Sequence, residues 1–162
     1  MGRSDLKPVT FGSPVFRRME FAGMEITDLR FPAGLFLQPH VHERTVFAVT
    51  IDGGWDSVIM NRPRDCRPGL VLTEPAGERH ANHFGNRGAH VLIVQADPER
   101  DEHIRPCQRL LSEINLLPHP EVASLARSIA AELADPDPFS ALAVQSATLE
   151  MFLLAARAAA VP

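Results

Sequence analysis

The sequence has little cysteine, little excess charge and no long unbroken apolar run. Its two cysteines, Cys66 and Cys107, are too few for a disulfide framework and favour a reduced setting. A formal charge of −4 and a pI of about 5.9 give no electrostatic basis for binding a nucleic-acid backbone. The N-terminal segment lacks the apolar core of a signal peptide, and apolar stretches fall short of the roughly 20 residues of a membrane span. We therefore expect a soluble cytoplasmic protein without membrane contact.

The chain of 162 residues, 45% of them hydrophobic, is long enough for one proper core. Up to Asp97, short apolar runs alternate with glycine and proline, a pattern typical of an antiparallel sandwich or barrel. The predicted strands cover Val15–Phe21, Met24–Phe31, Leu35–His42, Thr45–Ile51, Trp55–Met60, Leu70–Thr73, Arg79–Phe84 and Val91–Ala96.

Helical periodicity replaces this pattern after Asp97. A short connecting helix is predicted over Arg105–Glu113, and an amphipathic helix of about 14 residues follows around Val122 to Leu133. Asp137 as N-cap, with Pro138 at the first helical position, predicts a last helix that runs to about Ala159. We expect a β-barrel over residues 1–104 and a helical segment over residues 105–162.

The last helix is apolar on most of its circumference. Leu142, Leu149 and Ala156 lie seven residues apart, and Phe152 joins the same stripe. A helix that is apolar on several sides needs several partners. The barrel and the preceding helix can cover part of this surface, which favours a homodimer contact for the rest; the alternative is that the preceding helix covers it all.

The sequence predicts one candidate binding site, and three histidines form it. His40 and His42 are two residues apart in a predicted strand, and side chains at that spacing share a face. His80 opens another strand after the turn at Pro75 to Gly77. If the two hairpins belong to one barrel, the three imidazoles converge inside it as a candidate metal or ligand site.

These segments resemble the two motifs of the cupin superfamily, whose fold is a double-stranded β-helix, or jelly-roll barrel. Matching anchors are Gly34, His40, His42 and Gly53 in the first motif and Gly69, Pro75, Gly77 and His80 in the second. The glutamate position of the first motif holds Val46, and the asparagine position of the second holds Phe84. The resemblance implies a mainly β, cupin-like barrel, here followed by two or three C-terminal helices.

More narrowly, the chain from about Phe16 to Ala160 resembles the N-terminal sensor and dimerisation domain of AraC-type transcription regulators. This resemblance implies a barrel that senses a small-molecule effector, helices that form a homodimer, and DNA contact only through a C-terminal helix-turn-helix domain. That domain would begin where this chain stops, at Val161-Pro162. The chain is therefore either a sensor fragment of a longer regulator or a stand-alone relative.

We expect His40, His42 and His80 to bind one divalent metal, zinc or nickel rather than iron, because Val46 removes a negative ligand. Glu43 should face away, and Glu78 is a candidate substitute. The alternatives are a pocket whose metal role has lapsed and, from another functional class, a metal-dependent cupin enzyme such as a dioxygenase or isomerase.

Trp55 is the only tryptophan, and it either lines the pocket mouth or closes the core. We group it with the three histidines in the predicted effector pocket. His83 should face away from His80 by strand alternation. The remaining three histidines lack a paired spacing, so we expect them on the surface or in loops; they are His90, His103 and His119.

Overall fold

The structure, a computed structural model, describes residues 15–162. The N-terminal segment for which no signal peptide is predicted lies outside the described residues. Eight strands precede or interleave with the helices: β1 (Val15–Phe21), β2 (Met24–Phe31), β3 (Phe36–His40), β4 (Thr45–Ile59), β5 (Arg62–Cys66), β6 (Leu70–Glu74), β7 (His80–Ala96) and β8 (Asn115–Pro118).

All strand pairs are antiparallel, and the two longest strands form the centre of the sheet. The order is β1-β2-β7-β4-β6-β8, with β3 paired to β7 and β5 paired to β4. The mainly β fold and the C-terminal helices expected from the sequence are confirmed. β7 belongs to the second predicted hairpin, and it pairs with both β3 and β4 of the first. The two histidine-bearing hairpins therefore lie side by side in one sheet.

Two predicted strand pairs are in fact two continuous strands, β4 and β7. The sequence predicts a break at Gly53 and another between Phe84 and Val91, but the register shifts there without ending the strands. Gly53 has a φ of +74°, and a Cβ at this position would overlap the Gly88 carbonyl oxygen. Glycine therefore permits a bulge, and a bulge bends a strand without ending it.

The alternation of side chains along β4 separates two apolar clusters. Phe47 and Val49 point to the outer face, where they pack with residues of the helices. Val46 and Ala48 point to the interior of the barrel with Trp55, Leu72 and other residues. One sheet thus carries a helix-covered outer face and a separate interior.

Two strands were not predicted from the sequence. β5 has the sequence RPRDC and pairs with the second half of β4. Proline and charged residues are uncommon in strands, so its sequence does not predict one. β8 has four residues and pairs with β6, with Leu116 opposite Leu72. Both are short strands held by pairing with a neighbouring strand rather than by local propensity.

The helical part comprises a 3-10 turn at Arg105–Cys107 and three helices, α1 (Gln108–Leu111), α2 (Pro120–Ala134) and α3 (Ser140–Ala160). The predicted short connecting helix and amphipathic helix are confirmed. At the start of α2, His119 Nδ1 accepts a hydrogen bond from the Val122 amide at 3.3 Å. This residue, expected in a loop, serves as the N-cap.

The last helix begins at Ser140, two residues after the predicted start at Pro138. Asp137 does accept a hydrogen bond from the Phe139 amide at 2.8 Å. Its own amide, however, donates to Ser140 Oγ at 2.8 Å, and Ser140 Oγ donates to Glu132 in α2 at 2.7 Å. Asp137 therefore holds a turn between α2 and α3, and the continuous helix starts after that turn.

The predicted apolar stripe of α3 is divided between two faces. Phe152 is buried and lies 4.8 Å from the Phe47 ring of β4. Leu142 is 67% exposed and Leu153 is 45% exposed. The placement of Phe152 and Leu142 on one stripe is wrong, because the ten residue steps from one to the other turn the helix by about 1000°, which separates their directions by roughly 80°.

Among the described residues, α3 is the one helix long and apolar enough to cross a membrane. Its unbroken apolar stretches are short, as expected from the sequence, because polar residues such as Gln145 and Glu150 interrupt them. Length and composition alone are weak evidence, since core helices meet the same criteria. Phe152 and Met151 are buried within the fold.

Candidate functional site

The candidate site lies where β3 meets the start of β7. His40, the last residue of β3, is the cross-strand partner of His80, the first residue of β7. His42 lies in the loop after β3 rather than within a strand. Its carbonyl accepts a hydrogen bond from the Gly77 amide at 2.9 Å. This hydrogen bond connects the turn before His80 to the loop that contains His42.

The three imidazole rings are in mutual contact. Ring centroids are 4.4 Å apart for His40 and His80 and 5.1 Å apart for each of them and His42. One nitrogen from each ring lies within 4.8 Å of the other two. His42 and His80 are 8% and 2% exposed. The structure therefore brings together the three side chains that the sequence predicts to converge.

Backbone carbonyls orient two of the rings. His40 Nδ1 is 2.6 Å from the Gln38 carbonyl oxygen, and His80 Nδ1 is 3.0 Å from the Glu78 carbonyl oxygen. Because a carbonyl only accepts, each Nδ1 carries the proton and each Nε2 keeps its lone pair. His40 Nε2 is buried without a hydrogen-bond partner among the described residues. This arrangement fits a metal ion bound through Nε2.

Burial keeps the three imidazoles uncharged. It lowers the pKa of His42 to about 3, and the neighbouring His80 and His40 rings lower it further. Burial also lowers the pKa of His40 and of His80. Neutral imidazole is the form that binds a metal, so the site needs little deprotonation before binding. Burial raises the pKa of the Cys66 thiol to about 12, which leaves that sulfur protonated and unreactive.

The depressed pKa of His42 predicts that stability falls as the pH is lowered. Below the unfolded pKa of about 6.5 the unfolded chain binds a proton at this residue, while the folded protein does not until about pH 3. We expect the free energy of unfolding to fall by about 1.5 kcal/mol between pH 6.5 and pH 5 from this residue alone. Urea titrations at each pH measure it, and a slope unchanged in His42→Gln would contradict the assignment.

A buried carboxylate, Glu74 of β6, adjoins the histidines and was not predicted. Its side chain is 2% exposed, accepts a hydrogen bond from Ser57 Oγ at 2.8 Å, and lies 3.6 Å from His80 Nδ1. Burial raises its pKa. The alternation of Leu70, Leu72 and Glu74 along β6 was the signal that this side chain shares a face with a core leucine.

The two glutamates weighed from the sequence lie differently. Glu43 is exposed, as expected for a side chain that faces away from the histidines. Glu78 is partly exposed, and the contact it makes with His80 is through its backbone carbonyl. Glu74 is therefore the glutamate whose buried carboxylate adjoins the three histidines.

Trp55 lies at the other end of the barrel interior. It is the cross-strand partner of Phe84, whereas Ile59 is the partner of His80, so Trp55 is four residues, or about 13 Å, along the strand from the histidines. Its ring stacks on Phe84, and its Nε1 donates to Thr50 Oγ1 at 3.0 Å. Trp55 also lines a groove of about 480 Å³. Membership of the same effector pocket stays a prediction.

The other histidines lie apart from this cluster. His83 is exposed and contacts the Phe36 ring, as strand alternation predicts. His103 has a side chain that is 57% exposed. The expectation for His90 is wrong: it lies within β7, is 12% exposed and bonds to the buried Asp28 through Nε2. The continuous β7 strand places His90 opposite Arg30 and close to Asp28, which the broken strand did not anticipate.

Comparison with known families identifies this barrel and its helices. Residues 21–152 match the profile of the AraC-like ligand binding domain, and this range includes all three clustered histidines and most of α3. The chain belongs to this family. The family assignment is consistent with the cupin fold expected from the two histidine motifs, and it supports a ligand-sensing role for the barrel.

Similar solved structures include oxalate decarboxylase of Bacillus subtilis in a tryptophan-to-tyrosine variant, in a serine-to-alanine variant and at pH 4.6. Each is 20% identical, with a TM-score of 0.49, over 58% of this chain. The matched region covers 28% of the length of each of those proteins. Comparison with curated proteins finds no match.

Proposed function

We propose that this chain is the effector-sensing and dimerisation domain of an AraC-type transcription regulator, acting in the cytoplasm. Residues 1–104 form the sensor barrel and residues 105–162 form the dimerisation segment in this proposal. The observation that carries it is the family match over residues 21–152, which spans the barrel, the histidine cluster and most of the helical segment. The net charge of −4 supports assigning DNA contact to a separate helix-turn-helix domain.

The effector is proposed to bind in the barrel at His40, His42 and His80, either directly or through a divalent metal. The support is chemical: three neutral imidazoles converge, and two of them direct Nε2 lone pairs away from the carbonyls that hold Nδ1. Three nitrogen ligands suit zinc or nickel and leave coordination positions for an effector oxygen. Trp55 is proposed to contribute at the far end of the same interior.

The homodimer is proposed to form through the exposed face of α3. Leu142 and Leu153 on this face are 67% and 45% exposed, while Phe139 just before the helix is 73% exposed. Leu142 and Leu153 lie eleven residues apart, so their directions around the helix differ by only about 20°. Exposed apolar side chains that share a face usually mark an interface. The buried face of the same helix packs on β4. A conformational change in the barrel can therefore be transmitted through α3 to the dimer contact.

The experiment that tests this function measures coupling between the two sites. Zn²⁺ and Ni²⁺ are the first probes, followed by a panel of small oxygenated molecules, each titrated calorimetrically into the protein. Dimerisation is measured by sedimentation equilibrium with and without each probe. Because a homodimer carries two copies of the site, linkage requires that a ligand that tightens the dimer about tenfold at saturation binds each site of the dimer about threefold more tightly than the monomer.

A Leu153→Glu variant provides the matched monomer, because the substitution lies on the exposed face of α3 and leaves the histidines untouched. We expect it to bind the probes with the weaker, monomer affinity. A wild-type protein that stays monomeric at all concentrations, or binding that is equal in dimer and monomer, would contradict the regulatory proposal.

A metal-dependent enzyme, such as a dioxygenase or isomerase, is the second candidate. The buried carboxylate of Glu74 beside the histidines favours it, because a carboxylate held next to a metal site can act as a general acid or base toward a substrate. Elemental analysis followed by a turnover screen with added iron, nickel or zinc separates the two functions. Metal-dependent turnover of a small oxygenated substrate would favour the enzyme.

A further inference from the structure

The three most buried carboxylates among the described residues each adjoin a histidine. Asp28 forms a hydrogen bond with His90, and Asp101 forms one with His103; both pairs lie outside the candidate site. Glu74 instead lies 3.6 Å from Nδ1 of His80, a member of the histidine cluster. Its place is set by strand pairing, because Glu74 of β6 is the cross-strand partner of Val46 of β4.

The Glu74 carboxylate is held in a defined position. Ser57, which is fully buried, donates its hydroxyl to Glu74 Oε2 at 2.8 Å. The same oxygen is the one closest to His80 Nδ1. The carboxylate therefore lies on the Nδ1 side of this ring, opposite the Nε2 atom that keeps its lone pair. Glu74 is not among the described side chains whose ligand atoms lie within 4.8 Å of one another, which are those of His40, His42 and His80.

A divalent cation held by three neutral imidazoles would bring two positive charges into a largely buried site. The cost of burying charge is high unless an opposite charge lies close by. The cross-strand neighbour Val46 is apolar and provides none, whereas Glu74 is buried beside His80. The Glu78 carbonyl already accepts the Nδ1 proton of His80, so Glu74, 3.6 Å from that atom, acts on the ring through its charge. A negative charge on this side makes the ligand nitrogen of the ring more basic.

We propose that Glu74 is the positioning residue of the histidine cluster, acting through His80 to offset the charge of a divalent metal bound by the three imidazoles. This inference rests on the metal-binding form of the function proposed above. It adds a fourth residue, from a different strand, to the set that determines metal affinity.

Calorimetric titration of Zn²⁺ into three proteins tests the role of Glu74. We expect Glu74→Gln to weaken Zn²⁺ binding by about 10- to 100-fold, the usual effect of losing such a carboxylate. Glu43→Gln, which makes the same change in charge on an exposed residue next to His42, should stay within about twofold of wild type. Equal affinities in wild type and Glu74→Gln would overturn the proposal.

A second variant moves the carboxylate across the strand pair. Val46→Glu combined with Glu74→Val keeps the same two side chains on neighbouring strands, and circular dichroism checks that it folds. We expect its Zn²⁺ affinity to be no more than about tenfold weaker than wild type, because cross-strand partners have Cβ atoms only about 5 Å apart and position 46 is the glutamate position of the first cupin motif. A folded swap variant that binds as weakly as Glu74→Gln would contradict the charge-offsetting role.

Nitrogen-15 NMR of the metal-free protein separates this inference from the proposed function. In Glu74→Gln the His80 ring nitrogens should shift, while in Glu43→Gln they should match wild type. Wild-type protein that binds no Zn²⁺ would contradict the metal site but leave this readout intact. Unchanged His80 signals in Glu74→Gln would overturn the positioning role whether or not a metal binds.

Discussion

Replacing His40 and His42 together by alanine is expected to lower the affinity for Zn²⁺ or Ni²⁺ by at least about a thousandfold. The double variant keeps one of the three converging imidazoles, and a single neutral histidine is a weak site. Even outer contacts of a metal site each contribute about 10- to 100-fold, so two such losses multiply to roughly 100- to 10,000-fold. Losing two direct ligands should fall in the upper part of that range, at about a thousandfold or more. Isothermal titration calorimetry measures the change.

His83→Ala is the matched control for this experiment. His83 lies on the same strand as His80, three residues further along, but it is exposed and contacts Phe36 instead of the cluster. Its substitution removes one histidine from the chain without touching the site, so metal affinity should stay within about twofold of wild type. Metal binding that survives in the double variant would contradict the assignment of the metal site to the three histidines.

The second large effect is expected at the contact between α3 and the barrel. Phe152 is 1% exposed and its ring lies 4.8 Å from that of Phe47, which is fully buried. Phe152→Ala should lower the free energy of unfolding by about 3 to 5 kcal/mol, because it removes a buried aromatic ring and leaves a cavity between helix and sheet. Urea denaturation followed by circular dichroism measures this difference.

Glu150→Ala provides the comparison on the same helix. Glu150 is exposed, so its substitution should change stability by no more than about 0.5 kcal/mol. A cost for Phe152→Ala as small as that of Glu150→Ala would mean that α3 does not dock on β4 in solution. In that case the route proposed here from the barrel to the dimer contact would also be lost.

Local patterns were sufficient for most elements and for the histidine cluster. Strand alternation and the glycine and proline turns indicate the strands around His40 and His80, and the repeat of Val122 to Leu133 indicates α2. These signals depend on residues close together in sequence. The convergence of the histidines was predicted from the two-residue spacing of His40 and His42 and from the two motifs, although His42 lies in the loop after β3 and not in a strand.

Other features depended on contacts that local patterns do not contain. β8 exists through pairing with β6, and the bulge at Gly53 depends on the approach of Gly88, 35 residues later. His90 was expected at the surface because its partner, Asp28, is 62 residues away in sequence. The exposure of Leu142 and the burial of Phe152 depended on how α3 is rotated against β4.

By itself the sequence determined a mainly β fold with C-terminal helices, because these follow from side-chain periods of two and 3.6 residues. The three histidines were expected to meet from their positions in two motifs. The tertiary structure alone decided that Glu74 stands behind His80. That juxtaposition needs β6 to pair with β4 and β4 to pair with β7, so that residues from separate strands face one interior. No local pattern encodes which strands become neighbours.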